Sequence, residues 1–517
     1  MAFVHLHTHT EYSLLDGSNK IKNYVNRVKE LGMNAAAITD HGVMYGVVDF
    51  YKACKDAGIN PVIGCEIYVA PNSRFDRELS HGDDKYYHLV LLAENNKGYE
   101  NLMKIVSIGF TEGYYYRPRV DFETLEKYHE GLIALSACLA GEIPRYLVRG
   151  FYEEAKKTAL KYRDCFGPDN FFLELQDHGI PDQRRVNNDL LRMSQETGIE
   201  LVCTNDIHYT YEEDVESHDV LLCIQTGKKV SDEDRMRYEG GQYLVKSEEE
   251  MSKLFPYALP AIYNTQMIAD RCHVELEFGN YKIPKYEVPE GFASAKEFLV
   301  HLCEKGFEEK YTNNPEYASE DLKQIREDME YELGIIEKMG FVEYILIVWD
   351  YINWCRNHDC WVGPGRGSAA GSRVCYCTGI TNVDPVKYNL LFERFLNPER
   401  VSMPDFDIDM DFDYRQDIIQ HTRELYGEEN VGHIVTFGTL KPKNCIADVG
   451  RVLNIPLSEV NMLKKCIPDS PKAKLKNAFE PANDKFPDGG QLIPYKDDPK
   501  YKELFDLALR LEGVKRN

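Results

Sequence analysis

The chain has 517 residues, 43% hydrophobic and 12% aromatic, enough to bury several cores and to suggest roughly two to four domains. No apolar run is long enough to cross a bilayer, and the start MAFVHLHTHTEY has neither the basic nor the apolar region of a secretory signal. A net charge of −24 excludes a globally basic nucleic-acid binder, though phosphate contacts are local, and fourteen cysteines without CxxC pairs suit reduced thiols in a cytoplasmic protein.

The first 210 residues alternate strand-length apolar runs with helical patterns. The runs are FVHLH, NAAAITD, NPVIGCEIYVA, HLVLLA, GLIALSA, NFFLELQ and IELVCTN, and amphipathic stretches such as residues 21–33, 46–58 and 184–198 lie between most of them. Seven near-continuous apolar strands with intervening helices predict a parallel, barrel-like α/β arrangement. In such folds chemistry sits on loops at the C-terminal ends of the strands. Ligand-type residues fall there. His5, His7 and His9 recur at period two and would share one face of a strand. Asp16 lies in the first loop, Asp40 and His41 follow the second strand, and Glu66 closes the third. Cys138 ends the fifth strand, and Asp206 with His208 the seventh. Imidazole and carboxylate together suit borderline and hard divalent metals, which lower the pKa of a bridging water to give a hydroxide nucleophile. Taken singly, some have plainer readings. His5 would be structural and deeper in the barrel. His88 begins its strand rather than ending it, as an ordinary hydrogen-bonded histidine would. Cys138 would be a small buried hydrophobe.

From about residue 215 to 280 the pattern turns helical and charged, and NYKIPKYEVPEG, with two prolines, predicts a linker. A helical region follows over residues 295–360. The Gly-rich VGPGRGSAAGS (residues 362–372) then lets backbone N–H groups approach phosphate oxygens, with Arg366 adding a charge-assisted contact; alone, it is equally a flexible loop. In PDFDIDMD the acids Asp405, Asp407 and Asp409 alternate with Phe406, Ile408 and Met410, so a strand would put the acids on one face. Carboxylates side by side repel one another. Divalent cations offset that cost, and two Mg2+ held by aspartates are what in-line nucleotidyl transfer requires. The plainer reading is an exposed acidic edge strand. From Phe437 to Asn477, eight basic residues against three acidic leave +5 within an acidic chain. That stretch would be a duplex-gripping surface or a solvated helical face.

The motifs HLHTHTEYSLLDG, ITDHG, GCE, HLVLLAENNKGYENL, CLAGEIP and TNDIHY resemble the polymerase and histidinol phosphatase (PHP) domain that opens C-family bacterial DNA polymerases. RMRYEGGQYLVKSEEEM, EYILIVWDYI, GPGRGSAAGS, DPVKYNLLFERFLNPERVSMPDFDID, HIVTFGT and ADVGRVL resemble the rest of that family through its palm and early thumb, so the likeness covers essentially the whole chain. It implies an α/β fold: a PHP-type distorted (β/α)7 barrel over residues 1–280, an α+β nucleotidyltransferase-like palm over 281–436, and a helical thumb over 437–517. It also implies a three-metal cluster of His7, His9, Asp16, His41, Glu66, His88, Cys138, Asp206 and His208, holding Zn2+ or Mn2+, with 3′–5′ exonuclease action on phosphodiesters. In the palm it implies Asp405 and Asp407 as catalytic, Mg2+-binding aspartates, with Asp409 a neighbour of unassigned role. Arg366, Gly367, Ser368 and Arg394 would bind the incoming nucleotide, and Lys443 occupies a usually basic position.

The resemblance implies a DNA-directed DNA polymerase of DNA replication, working in the cytoplasm without a membrane. Its expected partners are primer–template DNA, deoxynucleoside triphosphates, a sliding clamp and other replisome subunits. Two departures bear on this. Ala447 stands where the family usually has Arg, and the family's third catalytic aspartate and fingers would follow Asn517, so this chain alone is expected not to polymerise. The alternative is a freestanding metal-dependent phosphoesterase or nuclease, which would need neither Arg366 nor the PDFDID strand. A non-enzymatic module that holds a proofreading partner is a third reading.

Overall fold

The computed structural model describes residues 3–517 apart from 79–83, 398 and 400–402, so Pro398 and residues 400–402 of the second motif lie outside the described residues. The chain forms two compact units, Met1–Leu276 with Thr436–Asn517, and Glu277–Val435.

The strands of the first unit are β1 (Ala35–Ile38), β2 (Asn60–Val69), β3 (Tyr87–Ala93), β4 (Tyr114–Tyr115), β5 (Arg117–Val120), β6 (Leu132–Leu135), β7 (Phe171–Leu175) and β8 (Leu201–Cys203). Apart from the short pair β4 and β5 they are rich in aliphatic side chains and almost wholly buried, as strands covered on both faces must be. Hydrogen bonding runs β2–β3–β6–β7–β8, with β1 beside β2. The opening segment completes the ring without forming a regular strand. On one side His5 O accepts from Ala37 N (3.3 Å) and Thr8 O from Thr39 N (2.9 Å). On the other, Ile207 O accepts from His9 N (2.8 Å) and His7 O from Ile207 N (3.1 Å). The result is a distorted barrel, as the resemblance implies.

One strand departs from the parallel expectation. The pairs β1–β2, β6–β7 and β7–β8 are parallel, but β3 runs antiparallel to both β2 and β6. A parallel return needs a crossover of about a dozen residues or more, usually a helix. The described residues between Val69 and Tyr87 form none, and the helix Asn96–Thr111 comes only after β3. Gly64 permits the close pairing, since a Cβ there would stand 2.5 Å from Leu91 O. Alternation sorts the side chains: Val62, Val90, Leu92, Phe172 and Val202 share one apolar cluster, while Ile63, Cys65, Leu91 and Leu173 join another formed with the helices. Period two then puts Glu66, His88 and Glu174 on the face of the first group, and Asp206, beyond the end of β8, joins them beside His7.

The C-terminal part of this unit is helical, with helices Pro442–Val452, Leu457–Lys465 and Pro499–Leu511. Val449, Leu463, Leu504 and Leu507 close an apolar core with Val220 and Leu221 of the helix Val215–Thr226. Polar contacts reinforce the joint. Arg451 donates to Gly227 O (3.2 Å) and Lys228 O (3.1 Å), and Arg510 pairs with Asp214 at 2.8 Å. Arg451, a cation of the basic stretch, is therefore engaged inside the unit, as are Lys443 with Asp469 and Lys476 with Glu480.

The second unit gathers the helices Ala295–Phe307, Ser319–Lys338, Val342–Asn357, Arg373–Thr378 and Arg415–Tyr426 around Phe307, Met329, Ile345, Ile352 and Val374. No regular strand forms among its described residues. The acidic segment is extended but bridged to the Gly-rich loop at only two places, Arg366 with Asp407 and Val362 with Met410. Between those bridges Pro364 turns its carbonyl to Asn382 N (2.7 Å) and Gly365 is left-handed (φ 99°), so the ladder does not continue.

Candidate metal centre and acidic segment

The first site forms where the barrel strands end. His7 Nε2 lies 3.3 Å from Glu66 Oε1 and 3.2 Å from Asp206 Oδ1, and His9 Nε2 lies 3.6 Å from Glu66 Oε2 and 3.2 Å from Asp206 Oδ1. His41 faces Glu66 Oε2 through Nδ1 at 2.6 Å and Asp16 Oδ2 through Nε2 at 3.4 Å. His208 Nε2 is 3.8 Å from Asp16 Oδ1. His88 Nδ1 stands 2.9 Å from Glu66 Oε1. The reversal of β3 explains this: its first residues lie beside the last residues of β2, with His88 paired to Tyr68. Cys138 reaches the group through one contact, its Sγ 3.9 Å from His88 Nδ1. Donor atoms within 4.8 Å of one another make three triads: His7–His9–Glu66, His41–Glu66–His88 and His9–His41–His208.

Two of the ligand-type residues stand apart. His5 Nε2 meets Lys246 O at 2.8 Å. Asp40 accepts from Thr10 N (2.6 Å), Thr10 Oγ1 (2.8 Å) and Ser13 Oγ (2.7 Å), and so braces the loop that carries Asp16. Three other residues join the site without having been singled out in the sequence. Glu174 Oε1 lies 2.7 Å from His7 Nδ1, Ser13 Oγ lies 3.1 Å from His9 Nδ1, and the Tyr238 hydroxyl lies 3.1 Å from both Asp16 Oδ1 and His208 Nε2. Occupying one imidazole nitrogen leaves the other aimed at the cluster.

The donor set fits divalent metals. His7 Nε2, His9 Nε2, His41 Nδ1, Glu66 Oε2 and Asp206 Oδ1 are buried without a hydrogen-bond partner; the short His41–Glu66 separation lacks hydrogen-bond alignment. Unpartnered buried polar atoms are costly, and a cation satisfies nitrogen and oxygen lone pairs together. The electrostatics favour it too. Burial disfavours the Glu66 carboxylate, yet His88, His41 and His7 hold its pKa well below the usual range. Burial, together with His41 and His208, pushes His9 down to about 3. His41, although buried, is raised to about 10 by Glu66 and Asp16. The backbone is strained at the same place: Leu15 (φ 58°), Ala137 (φ 61°) and Asp206 (φ 43°) are left-handed. Such residues cost about 1–3 kcal/mol each, and each is a cluster residue or precedes one.

The second site lies in the other unit, where the Gly-rich loop runs against the acids. Gly363 N donates to Asp409 O (2.8 Å) and Asp411 N to Trp361 O (2.9 Å). Gly367 (φ 73°) is needed there, because a Cβ would stand 2.7 Å from Asp407 Oδ2. Arg366 Nη1 lies 3.3 Å from Asp407 Oδ1 and its Nε 3.1 Å from Asp409 Oδ2. Phe406 and Ile408 pack on the unit's core while Asp405 and Asp409 are exposed, so the two-residue period separates the faces. Ser368 opens the turn Ser368–Gly371, whose last glycine sits close to Leu391, beside the turn Phe392–Arg394 that carries Arg394. Lys443 belongs to the first unit, its ammonium 3.0 Å from Asp469.

Residues 5–178 match the family described as the PHP domain, and residues 297–517 match the bacterial DNA polymerase III alpha NTPase domain. Over its full length the chain is 48% identical to the DNA polymerase III subunit alpha of Treponema pallidum, 46% to that of Borreliella burgdorferi and 40% to that of Thermus aquaticus. It spans 43%, 44% and 46% of those proteins, less than half their length. A solved amidohydrolase from Chromobacterium violaceum is 14% identical and aligns over 40% of this chain and 88% of its own, with a TM-score of 0.28. No helix among the described residues is long and apolar enough to cross a membrane.

Proposed function

We propose that this chain, whose residues 5–178 and 297–517 match the PHP domain and the bacterial DNA polymerase III alpha NTPase domain, serves DNA replication as a DNA-directed DNA polymerase of the polymerase III alpha type, with 3′–5′ exonuclease chemistry in its first unit. The polymerase reading is carried by one observation: a Gly-rich loop with its arginine lies directly against alternating aspartates on one solvent-facing edge. Asp405 and Asp407 would hold Mg2+, which neutralises triphosphate charge and activates a primer hydroxyl. The chain's own groups do the rest. Arg366 presents a planar fork to phosphate, Gly367 lets the backbone approach it, and Ser368 and Arg394 hold the triphosphate. Lys443, Lys464 and Lys465, all of the first unit, contact the primer–template duplex. A sliding clamp and other replisome subunits are the further partners. A cytoplasmic setting agrees with fourteen cysteines that are all free thiols.

The exonuclease reading rests on the three triads. His7, His9, Asp16, His41, Glu66, His88, Cys138, Asp206 and His208 would hold Zn2+ or Mn2+, metals that acidify water and polarise a phosphoryl oxygen. Glu174 and Ser13 fix the rings of His7 and His9, and burial of the site keeps bulk water from screening its charges.

Two assays on the 517-residue chain separate the sites: Mg2+-dependent dATP binding, and release of mononucleotides from the 3′ end of primed DNA. Asp405→Ala should weaken dATP binding about tenfold or more, the scale of a lost charged contact, and leave degradation intact. His9→Ala should do the reverse and lose metal. Wild-type dATP affinity in Asp405→Ala would refute the nucleotide site. Full metal content and degradation in His9→Ala would refute the metal centre.

A further inference from the structure

In the second unit one guanidinium serves two carboxylates, and it does so in two different ways. Arg366 grips Asp409 through Nε, 3.1 Å from Oδ2 and 3.3 Å from Oδ1, but reaches Asp407 only through Nη1, 3.3 Å from Oδ1. A guanidinium has five N–H donors and recognises phosphate bidentately. Held at Nε alone, it keeps both Nη groups at its tip for another acceptor.

The Asp409 grip is the closer of the two, and the backbone holds Asp409 against the loop. Gly363 N donates to Asp409 O at 2.8 Å, which ties the loop to that residue's main chain. The backbone bridge of Arg366 is to Asp407, so its main chain stays beside both acids, with Gly365 (φ 99°) and Gly367 (φ 73°) on either side. A cation on the Asp407 carboxylate competes for the same oxygens as Nη1. Nothing in that competition touches the Nε contact.

We propose that Asp409 is a positioning residue for Arg366. It holds the guanidinium by Nε, so that a divalent cation taking Asp407 releases the Nη end without losing the arginine, and that end is then free for a phosphate of the nucleotide. The inference rests on reading this segment as a cation and nucleotide site.

The sequence supplies a selective probe. Its three tryptophans, Trp349, Trp354 and Trp361, all belong to the second unit, and Trp361 is 81% exposed with its carbonyl bonded to Asp411 N. Tryptophan-excited Tb3+ luminescence of the whole chain therefore reports on Tb3+ bound at the acidic segment, beside Trp361. Arg366→Gln should tighten Tb3+ about threefold, the scale of an exposed ion pair. Asp409→Asn should weaken it by a similar factor, because Arg366 then rests on Asp407 alone. In the Arg366→Gln background Asp409→Asn should change nothing. With Tb3+ bound, the two single variants should lose dATP affinity equally. If Asp409→Asn weakens Tb3+ by the same factor in both backgrounds, Asp409 is itself a cation ligand and the proposal falls. It falls also if Arg366→Gln leaves Tb3+ affinity unchanged. Asp407→Asn distinguishes a deeper failure: undiminished Tb3+ binding there would overturn the cation-site reading itself.

Discussion

His7 can present Nε2 to the cluster only because its other nitrogen is held. Glu174 Oε1 does this at 2.7 Å and is itself braced by Gln176 Nε2 at 3.0 Å and by the Thr204 hydroxyl. Partners behind a metal-binding histidine are worth about 10–100-fold in metal affinity. Glu174→Gln keeps the shape and an acceptor oxygen but removes the charge that orders the imidazole. Equilibrium dialysis should show Mn2+ affinity reduced about tenfold or more, at the lower end of that range; wild-type affinity would reduce Glu174 to a packed polar residue. The site was unevenly legible for reasons visible at single residues. HLHTH, ITDHG, GCE and TNDIH place ligand-type groups at strand ends, where spacing alone gathers them. Glu174 carried a weaker signal, a lone acid within the apolar run NFFLELQ. Tyr238 carried none, because its place beside Asp16 depends on how residues 228–243 return over the barrel. Asp40 misled in the opposite sense: it sits next to a ligand, yet its carboxylate serves Thr10 and Ser13.

At the scale of elements, six of the seven strand-like runs mark where strands lie, and FVHLH completes the ring without one, but the runs do not say which way the strands run. Period two is identical in both directions, so His88 looked like a residue at the wrong end of its strand. The one signal of reversal was the lack of a helical pattern between β2 and β3. The acidic segment shows the converse. Alternation correctly separated the aspartates from Phe406 and Ile408, yet the segment pairs with the Gly-rich loop at only two bridges. The β2–β3 contact can be tested at Gly64. A Cβ there would stand 2.5 Å from Leu91 O and 2.8 Å from Leu92 Cδ2, and neither the strand backbone nor a packed leucine moves cheaply. Overpacking of this kind costs about 1–3 kcal/mol. Gly64→Ala should therefore lower the melting temperature and, by spreading β2 from β3, separate Glu66 from His88 and reduce metal content. A stable variant with full metal content would show that the strands tolerate a wider pairing.

At the scale of the whole molecule, chain order and spatial order differ. Residues 436–517 share a compact unit with residues 1–276, and residues 277–435 form their own. Sequence separation hides this, because the apolar faces of helices Pro442–Val452 and Pro499–Leu511 do not announce that their partner is the helix Val215–Thr226. Each unit closes its own apolar core, so thermal unfolding should show two transitions, and the molecule supplies a reporter for each. Tryptophan fluorescence follows the second unit, which holds every tryptophan. Mn2+ acts on the unit with the histidine cluster, and a ligand that binds only the native form raises its stability by mass action. Mn2+ should thus raise the transition seen by circular dichroism and leave the tryptophan transition in place. Leu504 is fully buried in the core shared by the two ends of the chain. Its replacement by alanine removes that burial and leaves a cavity, a change worth about 2–5 kcal/mol. Leu504→Ala should lower the metal-sensitive transition alone, and residual metal binding should fall with it, because the helices it anchors also carry Arg451 and Arg510 against the ends of the helix Val215–Thr226, which follows His208. If the tryptophan signal instead shifts with both Mn2+ and Leu504→Ala, the two units unfold as one cooperative body.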